Sequence, residues 1–346
     1  MLFNTKPELF IQFRDNSILY MIYDRQKNQV LEQEQLVLDL PVLIEGRLTN
    51  ETLVQKRLEL LIQEKKLKKA KTYFILPDYF TMIRKEKIPI QLDETEIKAY
   101  LDLHINGSIR LPFDSPKVDF QVIDRSEEHQ TILLTAYPKD QIAAFQKLLE
   151  DAQLQPVVAD FSYLSVYRTF KTLQAEYLSP DKHTLMIQWH PFDSSMTVFH
   201  KDVPQFNRHT NFPRVAQSWE QSKAGQWKWT GTEQELSIVL EDQINAIERF
   251  LDFYKYSVMN GETMVTQILL SGSYPDLETL YQKLAERIDL AIVQLILPEQ
   301  TAQTFAPLYG LQSKEPKAKP KKISKRKQQS VKAEKQPVEE ASTVHD

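Results

Sequence analysis

Few side chains in this sequence stand close enough along the chain to do chemistry together. His190, Asp193 and His200 bracket a short polar turn. Two imidazoles and a carboxylate are the raw material of a metal site, but no second carboxylate–histidine set accompanies them, so strand and surface histidines are the plainer reading. Glu94 with Glu96, and Glu127 with Glu128, are paired carboxylates whose places suit a helix cap and a turn rather than acid–base work. The absence of cysteine removes thiolate nucleophiles, disulfides and thiolate metal sites, and no G-x-S-x-G element occurs. Glycine is scarce, 7 of 346 residues, about 2% against a usual ~7%. Phosphate-binding loops need glycine so that backbone N–H groups can approach the oxygens closely, which weighs against vigorous phosphate chemistry here. No catalytic set and no metal site is expected.

The turn around His190 occurs twice. LFIQFRDNSILYMIYD (9–24) and LMIQWHPFDSSMTVFH (185–200) lie 176 residues apart. Each opens with an apolar run ending in Ile-Gln-aromatic, continues through a polar turn containing Asp and Ser, and closes with a second apolar run. That pattern predicts a β-hairpin, and its recurrence predicts two related domains. A length of 346 residues accommodates two domains of ~100–200 residues.

The elements that must hold these turns are legible from periodicity. A third strand is expected over 30–40. A helix follows over 51–66, with Leu53, Leu58, Leu61 and Ile62 as its apolar stripe, Thr49 or Asn50 as its cap and KKLKK at its C-terminal end. Strands are expected at 72–76 and 82–88. Asp93 with Glu96 reads as a capping box opening a helix to about 105, and two strands follow at 118–124 and 131–137. The order strand, helix, strand, strand reads as an inserted subdomain, at about 90–138. A helix over 138–152, a strand over 154–160 and a helix over 161–177 complete the first half. In the second half a strand is expected at 205–210. The segment 211–231 reads as irregular, with Trp219, Trp227 and Trp229 either forming a platform or pinning the loop. Thr232 with Glu235 makes a second capping box for a long helix over 233–256. A strand at 265–270 ends in Ser271-Gly272-Ser273, and a helix over 275–288, a strand over 291–297 and a short helix to about 308 follow.

From Ser313 the composition changes: ten basic residues meet five acids and almost no large apolar side chain. Such a tail cannot offset its ordering entropy and is expected to be disordered. It is either a solubilising extension or an attraction to anionic lipid, nucleic acid or an acidic partner. The N-terminus lacks the basic and apolar regions of a signal peptide, and no apolar run approaches the ~20 residues of a membrane span. Membrane attachment is therefore expected only through partners.

Several stretches, in order, resemble the type IV pilus assembly protein PilM family, actin-like proteins related to the cell-division protein FtsA. They include FILPDYFTMIRKEKIP (74–89), INGSIRLPFDSPKVDFQVI (105–123), PKDQIAAFQKLLEDAQLQPVVADFSYLSVYRTF (138–170) and LLSGSYPDLETLYQKLAERI (269–288). The resemblance covers roughly residues 8–311. It implies an α/β, actin-like (ASKHA) two-domain fold: domain 1 at 1–178 with the inserted α+β subdomain, domain 2 at 179–312, and the disordered basic tail at 313–346. In such proteins each hairpin carries an Asp and a glycine turn, and the two turns clasp the phosphates of Mg-ATP. Here Gln12 and Gln188 stand where the acids would be, and Arg14 and His190 where the glycines would be. A neutral amide holds magnesium's waters less well than a carboxylate, and large side chains obstruct the phosphates. With Ser17, and with Ser271 and Gly272 keeping the nucleoside-side pattern, these residues make a degenerate nucleotide site. Arg14 or His190 contacting phosphate directly is the alternative.

The resemblance thus implies a pseudo-ATPase scaffold of a type IV pilus, competence pilus or type II secretion-like machine, with no cofactor expected and Mg-ATP as the doubtful exception. Its partner would be a PilN-like single-span membrane protein, whose cytoplasmic N-terminal segment would dock between the main domain and the inserted subdomain, near the helix to 105 and the strands around 74–87, with Tyr100, His104 and Phe113 as groove residues. Further expected contacts are a pilus motor ATPase, further copies of the chain and, through the tail, an anionic membrane, with no specific nucleic acid. The chain would sit in the cytoplasm at the inner face of the membrane. The competing readings are an active ATPase or kinase on the same fold, and a nucleic-acid binder working through the tail.

Overall fold

The computed structural model describes residues 6–105, 107–298 and 301–316. Most of the predicted basic tail lies outside them.

The first half opens with an antiparallel meander of β1 (Glu8–Arg14), β2 (Ser17–Asp24) and β3 (Gln29–Val37). A small ribbon, β4 (Leu43–Ile44) and β5 (Arg47–Leu48), and helix α1 (Glu51–Glu64) lead to β6 (Lys71–Leu76). Next come β7 (Met82–Pro89), α2 (Glu94–His104), β8 (Pro116–Arg125) and β9 (His129–Pro138), which form a separate three-stranded sheet with α2 on its face. Then α3 (Lys139–Asp151), β10 (Gln155–Phe161) and α4 (Ser162–Leu173) close the half. The main sheet runs β10-β6-β1-β2-β3, with β6 and β10 parallel to β1.

The second half repeats this plan with β11 (Thr184–Trp189), β12 (Asp193–His200) and β13 (Val203–Asn211). After a ribbon of β14 (Trp219–Gln221) and β15 (Trp227–Trp229) come α5 (Glu233–Phe253), β16 (Gln267–Ser271), α6 (Leu277–Arg287), β17 (Ala291–Gln294) and α7 (Ala306–Gly310). Its sheet runs β13-β12-β11-β16-β17, the same order and the same mix of antiparallel and parallel pairs. The two hairpins read from the sequence therefore occupy equivalent places in two sheets.

Both faces of each sheet are covered, which is why the hairpin strands are apolar almost throughout rather than alternating. On one face of the first sheet Leu9, Ile11 and Phe13 pack on α1 and α3. On the other, Phe10, Leu19 and Tyr73 meet Leu308 and Leu311 at the end of α7. In the second sheet Leu185, Ile187 and Trp189 meet α5 and α6, while Met186 and Leu269 meet α4. Helices α4 and α7 pack on each other so closely that a Cβ on Gly310 would lie 1.8 Å from the Ser165 carbonyl oxygen. Ser165 and Thr169 donate to the carbonyls of Pro307 and Ala306 at 2.6 and 2.8 Å.

Both expected capping boxes are present, at Asp93/Glu96 and Thr232/Glu235. Elsewhere the structure departs from the periodic reading. The subdomain sheet takes in β7, so it begins at Met82 rather than near 90. Helix α1 ends at Glu64, before the lysine run, and Asn50 caps it without a side-chain hydrogen bond. The 211–231 segment is not irregular throughout: Trp219 pairs with Trp229 across the β14–β15 ribbon, and all three tryptophans pack on the second core. They pin the segment, and no platform results. Strands of three residues carry no period to read.

Candidate functional site

The turns of the two hairpins face each other across a cleft of about 410 Å³. In the first turn Asp15 takes the left-handed backbone conformation, φ 42°, that a tight two-residue hairpin loop requires. Its carbonyl accepts from the backbone N–H groups of Val42 and Leu43 at 2.6 and 2.9 Å, and that of Asn16 from Leu38 at 2.7 Å, which ties the turn to the strand β3–ribbon connection. In the second turn the His190 N–H donates to the Asp193 carbonyl at 2.9 Å.

Arg14, at the end of β1, reaches across the cleft and its Nη2 donates to Asp193 Oδ1 at 2.8 Å. His209 of β13 donates from Nε2 to the other carboxylate oxygen at 2.9 Å. Burial alone would raise the Asp193 carboxyl, but the Arg14 guanidinium and His209 outweigh it and hold the group far below the usual carboxylate range. Burial would lower His209, and its bond to Asp193 raises it instead. Burial would lower Arg14 too, and the surrounding carboxylates, Asp193 with Asp15 and Asp78, together more than compensate.

The two glutamines lie at matching depths and do different things. Gln188 is 1% exposed, and its Nε2 donates to Ser162 Oγ at 2.9 Å; Ser162 in turn donates to an oxygen of Asp78 in the turn after β6. Gln12 is 5% exposed and lines the cleft, and its Oε1 has no hydrogen-bond partner among the described residues. Ser17 donates to the Arg14 carbonyl at 3.2 Å and accepts from Gln35 at 3.1 Å.

His190 does not line the cleft. Its Nδ1 accepts from the Ser273 backbone N–H at 3.1 Å and lies 2.8 Å from Ser273 Oγ. Nδ1 is therefore unprotonated, and burial pulls the imidazole down to about 3. His200 is at the far end of its strand and stacks on His183 at 4.1 Å, so the two hairpin imidazoles do not meet. No three acidic or imidazole side chains converge on a metal position among the described residues. Gly272, at φ +128°, lies against the hairpin backbone: a Cβ there would come within 1.9 Å of the Trp189 carbonyl oxygen. Ser271 is buried, with its hydroxyl unpartnered among the described residues.

The structure thus brings Gln12 and Arg14 into one cleft and joins Gln188 to it through Ser162 and Asp78, while His190 bonds Ser273 and Gly272 packs on the Trp189 backbone outside it. Sequence reasoning missed Asp78, Ser162 and His209 altogether and weighed Asp193 only as a turn residue and a rejected metal ligand. A buried arginine at a turn demands a counter-charge, and Asp193, at the matching turn of the repeat, was the signal available. Tyr100 and His104 stack at 3.8 Å on successive turns of α2, and Phe113 follows that helix, all away from the cleft. No helix of the described residues is long and apolar enough to cross a membrane.

Comparison with known proteins places these features. A family model described as type IV pilus assembly protein PilM matches residues 17–214, more than half of the chain. A solved PilM–PilN type IV pilus biogenesis complex aligns with 88% of this chain and 97% of its own at 15% identity, with a TM-score of 0.70. The ethanolamine utilization protein EutJ from Carboxydothermus hydrogenoformans aligns over 88% of this chain and 89% of its own, at 8% identity and a TM-score of 0.51. At these identities the likeness is one of fold, the actin-like architecture. No curated protein sequence matches the chain.

Proposed function

The chain belongs to the type IV pilus assembly protein PilM family, and from that premise we propose that it is a scaffold that no longer hydrolyses ATP. The observation that carries the loss of hydrolysis is the Arg14–Asp193 pair. It spans the cleft where the actin-like clasp would hold phosphates, and it neutralises internally the positive charge a phosphate would need. Gln12 and Gln188 supply amides where magnesium's waters would need carboxylates. The backbone of the first turn is engaged through its carbonyls with the 38–43 connection. These features support a fold kept for its shape.

The partner in this reading is a PilN-like single-span membrane protein, with the scaffold on the cytoplasmic side and the partner's short N-terminal segment docking on the subdomain. The solved PilM–PilN complex supports that partner class. The surface we favour runs along α2 beside Tyr100 and His104, toward Phe113. Leu103 on the same helix is 78% exposed, a large apolar side chain suited to covering by a bound segment. Calorimetry on the full chain tests both halves. Mg-ATP should give no saturable heat, while the partner's N-terminal peptide should bind, with affinity reduced at least tenfold by Leu103→Asp. Turnover of Mg-ATP that disappears on Gln188→Ala would return the chain to the enzymes, and a peptide that ignores Leu103→Asp, Tyr100→Ala and Phe113→Ala would move the docking surface elsewhere.

A further inference from the structure

The cleft between the hairpins contains more acceptors than donors. Its two cations are both committed to one carboxylate, Arg14 to Asp193 Oδ1 and His209 to Asp193 Oδ2. The remaining polar groups that line it include Asp15, Asp78 and Gln12. Asp15, its side chain 38% exposed, lies 3.8 Å from Arg14 Nε. Asp78 takes the Ser162 hydroxyl on one oxygen, and its Oδ1 has no partner among the described residues. Gln12, only 5% exposed, likewise presents an amide oxygen without a donor among them. An acceptor buried without a donor costs about 1–3 kcal/mol, so two such groups on one cleft, beside the carboxylate of Asp15, point to a ligand that brings donors.

We propose that this cleft is a binding site for an alkylammonium group, a lysine side chain or a free primary amine, held by Gln12, Asp15 and Asp78. The chemistry of the three groups selects that class. An ammonium carries three N–H donors, no acceptor and one compact positive charge. A phosphate brings only acceptors and negative charge to a cleft lined by four carboxylates, Asp15, Glu45, Asp78 and Asp193. A metal ion would need acid or imidazole groups converging on one point, and among the described residues no such group of three exists. The ammonium also answers the charge state of the cleft: burial pushes Asp15 up to about 6 and Asp78 above its ordinary value, and a cation beside them favours their ionised forms. The site is separate from the α2 surface, so peptide docking and amine binding succeed or fail independently.

The test uses the full chain and two probes of equal charge at matched ionic strength, n-butylammonium chloride and tetramethylammonium chloride, which has no N–H. His209, bonded to Asp193 within the cleft, is the reporter through its imidazole NMR signals. Butylammonium should shift them saturably and raise Tm, tetramethylammonium should do neither, and Asp78→Asn and Gln12→Leu should each weaken butylammonium at least tenfold. Equal responses to the two cations, or no saturable response to butylammonium, overturns the proposal, and this comparison needs no variant to fold. A full-length chain with Lys317, Lys319, Lys321, Lys322, Lys325 and Lys327 all changed to Gln separates the sources. Tighter butylammonium binding there identifies the chain's own lysines as the competing occupant, and unchanged binding identifies an external amine. Saturable Mg-ATP binding that displaces butylammonium would restore the phosphate reading of the cleft and overturn this one.

Discussion

Arg14 and Asp193 stand at matching turns of the two repeated hairpins, 179 positions apart, and are joined by a 2.8 Å hydrogen bond between guanidinium and carboxylate. Their side chains are only 15% and 20% exposed. Asp193→Ala would leave Arg14 buried without its counter-charge and should cost about 3 kcal/mol in denaturant unfolding. Arg14→Met with Asp193→Leu removes both charges and should recover most of that loss, because the desolvation of the pair disappears with it. A double variant no more stable than Asp193→Ala alone would show that the pair is not the contact joining the turns.

Much of the fold was legible because sheets covered on both faces write themselves as long apolar strands, as 9–13 and 185–189 do. The pairing of β1 with β2 and of β11 with β12 then needed only the turns between them. The site was legible on one side. Gln12, Arg14 and Gln188 sit at the strand ends that the repeat marks, whereas Asp78 and His209 reach the cleft from β6 and β13, elements whose placement beside the hairpins only the sheet order supplies. Nothing local in Pro77-Asp78-Tyr79 announces a buried carboxylate. The lysines after residue 64 misled for the opposite reason: they suit a helix C-terminus by charge, but the chain leaves the helix first, at Lys65, and Lys66 takes a positive φ of 56°.

Two glycines with positive φ separate backbone strain from steric exclusion. Gly261, at φ +83°, has open space where a Cβ would stand, whereas at Gly272 a Cβ would meet the Trp189 backbone at 1.9 Å. Gly261→Ala should cost about 1 kcal/mol, the strain alone. Gly272→Ala should cost about 3 kcal/mol or more, since strand ends must separate to admit it. Thermal unfolding of the two variants, compared directly, measures the difference; equal losses would mean that Gly272 does not hold the second turn against β16.

The buried imidazoles give the chain a definite pH dependence. His190 is drawn from its ordinary 6.5 down to about 3 by burial, so between those values the folded state binds fewer protons than the unfolded chain. Its contribution to stability is complete above pH 6.5 and falls away with acidification, by up to about 1.4 kcal/mol per pH unit. His209 has the opposite sign: Asp193 raises it, so its contribution is complete below pH 6.5 and is lost as pH rises through the folded value. His190→Gln should therefore lose less stability than the wild type between pH 7 and pH 5, and imidazole NMR should show His209 losing its proton at higher pH than His190. A wild-type His190 signal that titrates near 6.5 would contradict the buried, Ser273-bonded ring.

The outer strand of the second sheet ends without a neighbouring strand among the described residues, and one side chain closes it. Gln174, 5% exposed at the end of α4, donates from Nε2 to the Gln294 carbonyl at 3.1 Å and accepts from the Ile296 N–H at 2.8 Å. A primary amide is the one uncharged side-chain group that offers a donor and an acceptor side by side, so it completes the edge as a further strand would. Gln174→Ala leaves one carbonyl and one N–H without partners and should cost about 2 kcal/mol. It also bares an edge flanked by the exposed side chains of Leu173, Tyr177 and Ile296, and such edges recruit strands from other chains. The variant should therefore be less stable and should also form larger species in light scattering as its concentration rises. Gln174→Glu, which keeps the acceptor but loses the donor and faces the Gln294 carbonyl with charge, should be destabilised too yet remain dispersed. If Gln174→Ala stays monodisperse at concentrations where its loss of stability is plain, the edge is guarded by the neighbouring chain rather than by this amide.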